Sequence, residues 1–131
     1  MKADLKKPQQ IKTMLVGGTK LSEILSQLET YTKPGLTLLD IENKAQELIV
    51  QSGGKPGFAM VPGYHWATCI NVNEGIVHGI PSDRVINDGD VVTIDIGLFY
   101  KNLHTDMSTS FQIGKKDPKV QQFLQTGKNA L

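Results

Sequence analysis

The sequence holds a single cysteine, Cys69, in 131 residues. One thiol cannot close an internal disulfide, so nothing in the chain requires an oxidising compartment. Excess charge is also missing. With 14 basic and 13 acidic side chains the net charge is +1, which excludes a strong pull toward nucleic acid or a membrane surface. Acids and glycines break every apolar stretch well before it reaches the length of a bilayer span. No apolar segment of the signal-peptide kind follows the charged start MKADLKKPQQ. There is no internal repeat and no low-complexity tract. These absences point to a cytoplasmic protein. The 39% apolar and 21% charged content, over this length, suits one small domain with a real core.

Residues 1–7 read as a lysine-bearing tail and 8–131 as the domain. Pro8 suits the first turn of a helix. Ile11, Met14, Leu15, Leu21, Ile24, Leu25 and Leu28 then recur at helical spacing. Gly17-Gly18 marks either close packing or a kink, and the KPG of 33–35 ends the helix. A second helix is predicted over about 37–51, with Thr37 and Asp40 as a capping box and Leu38, Ile41, Ala45, Leu48 and Ile49 as its apolar stripe. Strand patterns follow from 58 to 113. ATCINV (67–72) and GIVHGI (75–80) flank Asn73-Glu74 as a predicted hairpin. Asp117-Pro118 opens a third helix as N-cap and first residue.

The stretch VVTIDIGLFYKNLHTDMSTSF (91–111) poses the main question, because it sets two acids into an apolar hairpin pattern. With the loop placed around Tyr100-Lys101, Asp95 falls opposite Asp106, Thr93 opposite Ser108 and Gly97 opposite His104. All six then share one face, and Val92, Ile94, Ile96, Leu98, Leu103 and Met107 share the other. Directly opposed side chains have Cβ atoms about 4.5–5.5 Å apart, where like charges repel. Such a pair either shares a proton or binds a cation. Carboxylates with a nearby imidazole suit divalent metals, and bridging carboxylates could span the gap of about 3.5–4 Å between the ions of two-metal hydrolases. The competing reading is a polar face that is simply wet. His104 reads as a second-shell or solvent residue. His78, as a lone histidine, reads more readily as structural than as catalytic, and His65 as an ordinary packed or surface residue. Cys69 reads as a buried, inert thiol, since no base is placed beside it.

The segment CINVNEGIVHGIPSDRVINDGDVVTIDIGLFYKNLHTDMSTSFQIG resembles type I methionine aminopeptidase. The motifs that carry the resemblance are Asn73-Glu74, His78-Gly79-Ile80-Pro81, Asp88-Gly89-Asp90, Asp95 and Thr105-Asp106. YTKPGLTLLDIENKAQELI is similar to the family's N-terminal helical segment, so the match runs from about Pro8 to the last residue.

The resemblance implies an α+β, pita-bread fold, of which these residues form the N-terminal half: an antiparallel sheet with two helices packed on it. It implies removal of the initiator methionine from nascent proteins whose second residue is small. It implies two divalent metal ions per complete site (Co, Mn, Fe or Zn), with Asp95 bidentate to one and Asp106 bridging both. A bridging water or hydroxide would be the nucleophile. His78 matches the histidine that contacts substrate near the scissile amide. Tyr64 and Cys69 match the walls of the methionine side-chain pocket, and Phe58 stands where some members have cysteine. In the pocket loop GYHWATC, His65 replaces the family proline and Ala67 the family serine.

The family's other ligands, a histidine and two glutamates, belong to the half that these residues do not match. The chain alone is therefore expected to have little or no peptidase activity. The implied partners are the nascent peptide N-terminus, the ribosome and a C-terminal half; neither DNA nor membrane is implied. Three alternatives stand beside this reading: a non-catalytic protein- or RNA-binding module of the same fold, a pita-bread metallohydrolase such as a proline-specific or creatinase-like enzyme, and a half-enzyme complemented by a second chain or copy.

Overall fold

A computed structural model describes residues 5–131, so Lys2 and the rest of 1–4 in the expected tail lie outside the described residues. The chain order is α1 (Pro8–Tyr31), α2 (Leu38–Gln51), β1 (Lys55–Pro56), a 3-10 turn (Phe58–Met60), β2 (Thr68–Val72), β3 (Val91–Tyr100), β4 (Leu103–Gln112) and α3 (Pro118–Asn129).

The glycine pair does not kink α1, which is continuous through Gly17 and Gly18. Gly17 is buried, and a Cβ there would stand 3.4 Å from the Thr105 side chain. Gly17, but not Gly18, marks close packing of α1 on β4. α2 starts as its sequence predicts. Thr37 accepts from the Asp40 N–H at 3.1 Å, and the Asp40 carboxylate accepts from the Thr37 N–H at 2.7 Å. The Thr37 N–H and then its hydroxyl hold the Asp40 carboxyl below its usual value. α3 likewise opens on Asp117, whose carboxylate accepts from the Lys119 N–H at 2.7 Å.

β3 is the central strand. All ten of its residues pair with β4 on one edge, while β2 and β1 lie end to end along the other, all antiparallel. Val92, Ile94, Ile96 and Leu98 face the helices and are fully buried with Leu21, Leu28, Ile41 and Ile49. Outside this core some large apolar side chains stay uncovered: Leu15 is 68% exposed and Phe123 75%. A groove of about 620 Å³ runs along α1 past Leu15 and Thr105. No helix among the described residues is long and apolar enough to cross a membrane.

Two expectations need correction. The hairpin loop is Lys101-Asn102, not Tyr100-Lys101. Both residues have positive φ, 46° and 65°, as a two-residue type I′ turn requires. The register therefore moves by two: Asp95 pairs with Ser108 and Asp106 with Gly97, while Thr93 pairs with Ser110 and Phe99 with His104. A shift of two preserves the faces, so the polar set stays together.

The second correction concerns residues 75–80, which are not a strand. β2 takes β3 as its strand partner instead, and Asn73 turns the chain at φ 54°. The loop still lies on β2, for the Ile70 N–H donates to the Gly79 carbonyl at 2.8 Å. A Cβ at Gly79 would meet the Ile70 carbonyl oxygen at 2.2 Å, so only glycine permits this approach.

The two helix glycines should behave oppositely. Gly18 has no atom near its absent Cβ, so Gly18→Ala is expected to stabilise the chain by about 1 kcal/mol through helix propensity. Gly17→Leu must push Thr105 and Tyr100 away and is expected to destabilise by about 1–3 kcal/mol. Urea unfolding of both variants checks the pair; equal shifts of the same sign would contradict it.

Candidate metal centre on the polar face of the hairpin

Alternation along β3 and β4 places Thr93, Asp95 and Gly97 with Asp106, Ser108 and Ser110 on the face away from the core. Asp95 and Asp106 are diagonal neighbours, each directly opposite a small residue, Ser108 and Gly97. Diagonal Cβ pairs stand somewhat under about 7–8 Å apart, within reach of longer side chains. The space over Gly97 is used by Phe58, whose ring would be 2.6 Å from a Cβ there. Phe58 thus covers the strand beside the acids. His104 is exposed and packs against Phe99, ring centroids 4.7 Å apart and planes tilted by 46°.

Asp95 is half-buried and Asp106 exposed. The Asp95 carboxyl is pushed up to about 6, first by burial, then by the charge of Asp106 and a hydrogen bond with it. The charge of His78 and the Ile96 N–H pull the other way. His78 therefore acts on Asp95 from the exposed loop that Gly79 holds against β2, with φ 56° at His78 itself.

On the far side of Asp95 lies its β2 partner Cys69. The Tyr64 hydroxyl donates to the Thr68 carbonyl at 2.7 Å and lies 3.2 Å from the Cys69 Sγ. Burial, above all, raises both the Tyr64 hydroxyl and the Cys69 thiol. Cys69 is a buried free thiol. The sequence-predicted residues Tyr64, Cys69, His78, Asp95 and Asp106 thus surround one patch of the sheet. His65 is exposed at its rim.

Sequence reasoning passed over Glu42. It lies on the buried side of α2 and is 0% exposed. Its carboxylate accepts from the Ala67 N–H at 2.6 Å, the Thr68 N–H at 3.0 Å, the Thr68 hydroxyl and the Gln46 amide at 2.7 Å. The available signal was an acid four residues after Leu38 and three before Ala45, inside the apolar stripe.

The donor set is partial. Two neighbouring carboxylates offer hard oxygen ligands, and the raised Asp95 marks like charge that a cation would relieve. Yet among the described residues no three His, Cys, Asp or Glu side chains converge as a metal site. The residues fit a metal, but as part of a ligand set.

Comparison with known proteins agrees with this chemistry. The profile of metallopeptidase family M24 matches residues 13–131, and the chain belongs to that family. A methionine aminopeptidase of Mycoplasma capricolum is 37% identical over 110 residues, 84% of this chain and 44% of its own length. One from Helicobacter pylori is 30% identical over 131 residues, all of this chain and 52% of its own. The crystal structure of a methionine aminopeptidase from Thermotoga maritima superposes with a TM-score of 0.93 at 30% identity, over 99% of this chain and 53% of that one. A prolidase from Pyrococcus furiosus, at 20% identity and TM-score 0.75, shares the fold. The chain is thus α+β and pita-bread in fold, and it spans about half the length of the curated relatives it matches.

The raised Asp95 gives a pH prediction for the metal-free chain. A carboxyl that holds its proton more tightly when folded opposes folding once it ionises. Through this group, stability should rise as pH falls from about 7.5 to about 5. Asp95→Asn should be the more stable protein at neutral pH and show a flatter Tm over that window. A wild-type Tm that does not move, or an equal slope in the variant, would refute the assignment.

Proposed function

We propose that this chain supplies half of the active site of a methionine aminopeptidase, which removes the initiator methionine from nascent proteins with a small second residue. The observation that carries the reading is the Asp95–Asp106 pair on one polar face, with its register and surroundings. The identities of 30–37% to methionine aminopeptidases support it further. The prolidases share the fold at lower identity and do not favour the proline-specific alternative.

In this reading residues 8–131 are the catalytic half-domain, and residues 1–7 are an N-terminal tail. Asp95 and Asp106 hold two divalent ions, drawn from Co, Mn, Fe or Zn. When bound, the metal supplies Lewis acidity at the scissile carbonyl. His78 donates a hydrogen bond near the scissile amide. Tyr64 and Cys69 wall the pocket for the methionine side chain; both stay neutral, which suits an apolar guest. Two carboxylates are too few to complete the site, so the remaining ligands come from outside these residues. The place of action is the cytoplasm, where nascent chains emerge.

Titration calorimetry with Mn²⁺ or Co²⁺ tests the ligands. Wild type is expected to give binding heat that Asp95→Asn/Asp106→Asn loses, and neither protein is expected to cleave a Met-Gly-Met-Met peptide. Undiminished binding in the double variant would remove both aspartates from the ligand set. Metal-dependent turnover by the chain alone would show that it completes a site unaided.

A further inference from the structure

We propose that the buried Glu42 is a positioning residue for the pocket wall, setting where Tyr64 and Cys69 stand relative to Asp95 through its hold on Ala67 and Thr68. The inference rests on the functional reading above for the word pocket, and on hydrogen bonds alone for the rest.

β2 begins at Thr68, directly after the loop that contains Tyr64. Its brace comes from α2, 26 residues earlier in sequence. One oxygen of Glu42 takes the Ala67 N–H and the Gln46 amide, and the other takes the Thr68 N–H and hydroxyl. Four donors converge on one side chain with no exposure to solvent. An ionised carboxylate can accept about four such bonds, and hydrogen bonds to a charged acceptor are the stronger kind.

The consequence passes along the backbone in one step. The Thr68 residue that Glu42 grips from its N–H and hydroxyl presents its carbonyl to the Tyr64 hydroxyl. That hydroxyl meets the Sγ of the next residue, Cys69, which stands opposite Asp95 in the ladder. A core group on one helix thus fixes both wall atoms. A purely apolar residue at position 42 could fill the space but would leave two buried N–H groups unpaired.

Cys69 is the one cysteine of the chain and is 7% exposed, so thiol labelling reports on the wall specifically. The experiment compares N-ethylmaleimide labelling at one fixed pH with amide hydrogen exchange in wild type, Glu42→Gln, Glu42→Asp and Thr68→Val. In Glu42→Gln, labelling is expected to speed by about tenfold or more, the factor that loss of one hydrogen bond to a charged acceptor corresponds to. The Ala67 and Thr68 amides should exchange faster by a similar factor, while the hairpin amides of Leu98 and Thr105 stay unchanged. Glu42→Asp, which keeps the charge on a shorter stem, should fall between.

Labelling that accelerates together with Leu98 and Thr105 would mean that Glu42 only holds the fold, and the proposal fails. Unchanged labelling with freely exchanging Ala67 and Thr68 would mean that the grip is not passed to the wall, and it fails again. Should Glu42→Gln not fold, Thr68→Val decides alone, since it removes one bond and keeps the shape: faster labelling supports the proposal and wild-type labelling overturns it. No metal enters these measurements, so a negative metal titration would strike the functional reading and leave this result standing.

Discussion

The structure depends on one constraint: β3 has to serve two environments at once. It runs through the middle of the sheet, with β4 on one edge and β2 and β1 on the other. Its even-numbered residues from Val92 to Leu98 build the core. Its odd-numbered residues point the opposite way, and Asp95 is among them. The strand cannot slide by one residue without burying that carboxylate and exposing four aliphatic side chains. Core packing therefore fixes the orientation of the acid, although the acid contributes nothing to the core.

Several of the motif residues prove to be joints. The Asn73 side chain accepts from the Val91 N–H and donates to the Asp90 carboxylate, each at 2.9 Å. Burial would raise Asp90, but the Asn87 N–H, the Asn73 amide and the Arg84 charge outweigh it and hold the carboxyl below its usual value. Asp88 accepts from the Lys115 N–H at 2.9 Å. These bonds tie the ends of β2 and β4 to the turn before β3, so the Asn73-Glu74 and Asp88-Gly89-Asp90 signatures hold the frame in which the Asp95 face is set. Glu42 does the same from the opposite end of β2. A polar motif near a reactive patch can thus be architecture, and hydrogen-bond partners separate the two cases where spacing cannot.

The helices were legible because their signals are local. Thr37 with Asp40 and Asp117 with Pro118 mark starts that depend on residues no more than three positions away. The two faces of the hairpin were legible for the same reason, since alternation has a period of two. The register was not. Lys101-Asn102 lacks the glycine that usually announces a type I′ turn, and Lys101 accepts positive φ only because the flanking strands impose it. Residues 75–80 look like a strand in composition, yet Ile76 and Val77 are exposed and Gly79 presses its backbone onto β2. Glu42 was hidden because an acid within an apolar stripe gains meaning only from donors that arrive 25 residues later.

The tight turn at Lys101-Asn102 also bears on the order of assembly. Asp95 and Asp106 are eleven residues apart in sequence, and the loop between their strands is as short as a hairpin allows. Hairpins of this kind close in about 1–10 μs, ahead of contacts that need long loops. The clamp from Glu42 to Ala67 spans 25 residues, and its loop-closure entropy is correspondingly larger. Electrostatic repulsion between the two acids is therefore met at the first steps of folding, when little apolar surface has yet been buried to offset it. Any cation that relieved this repulsion would bear on how fast the hairpin closes.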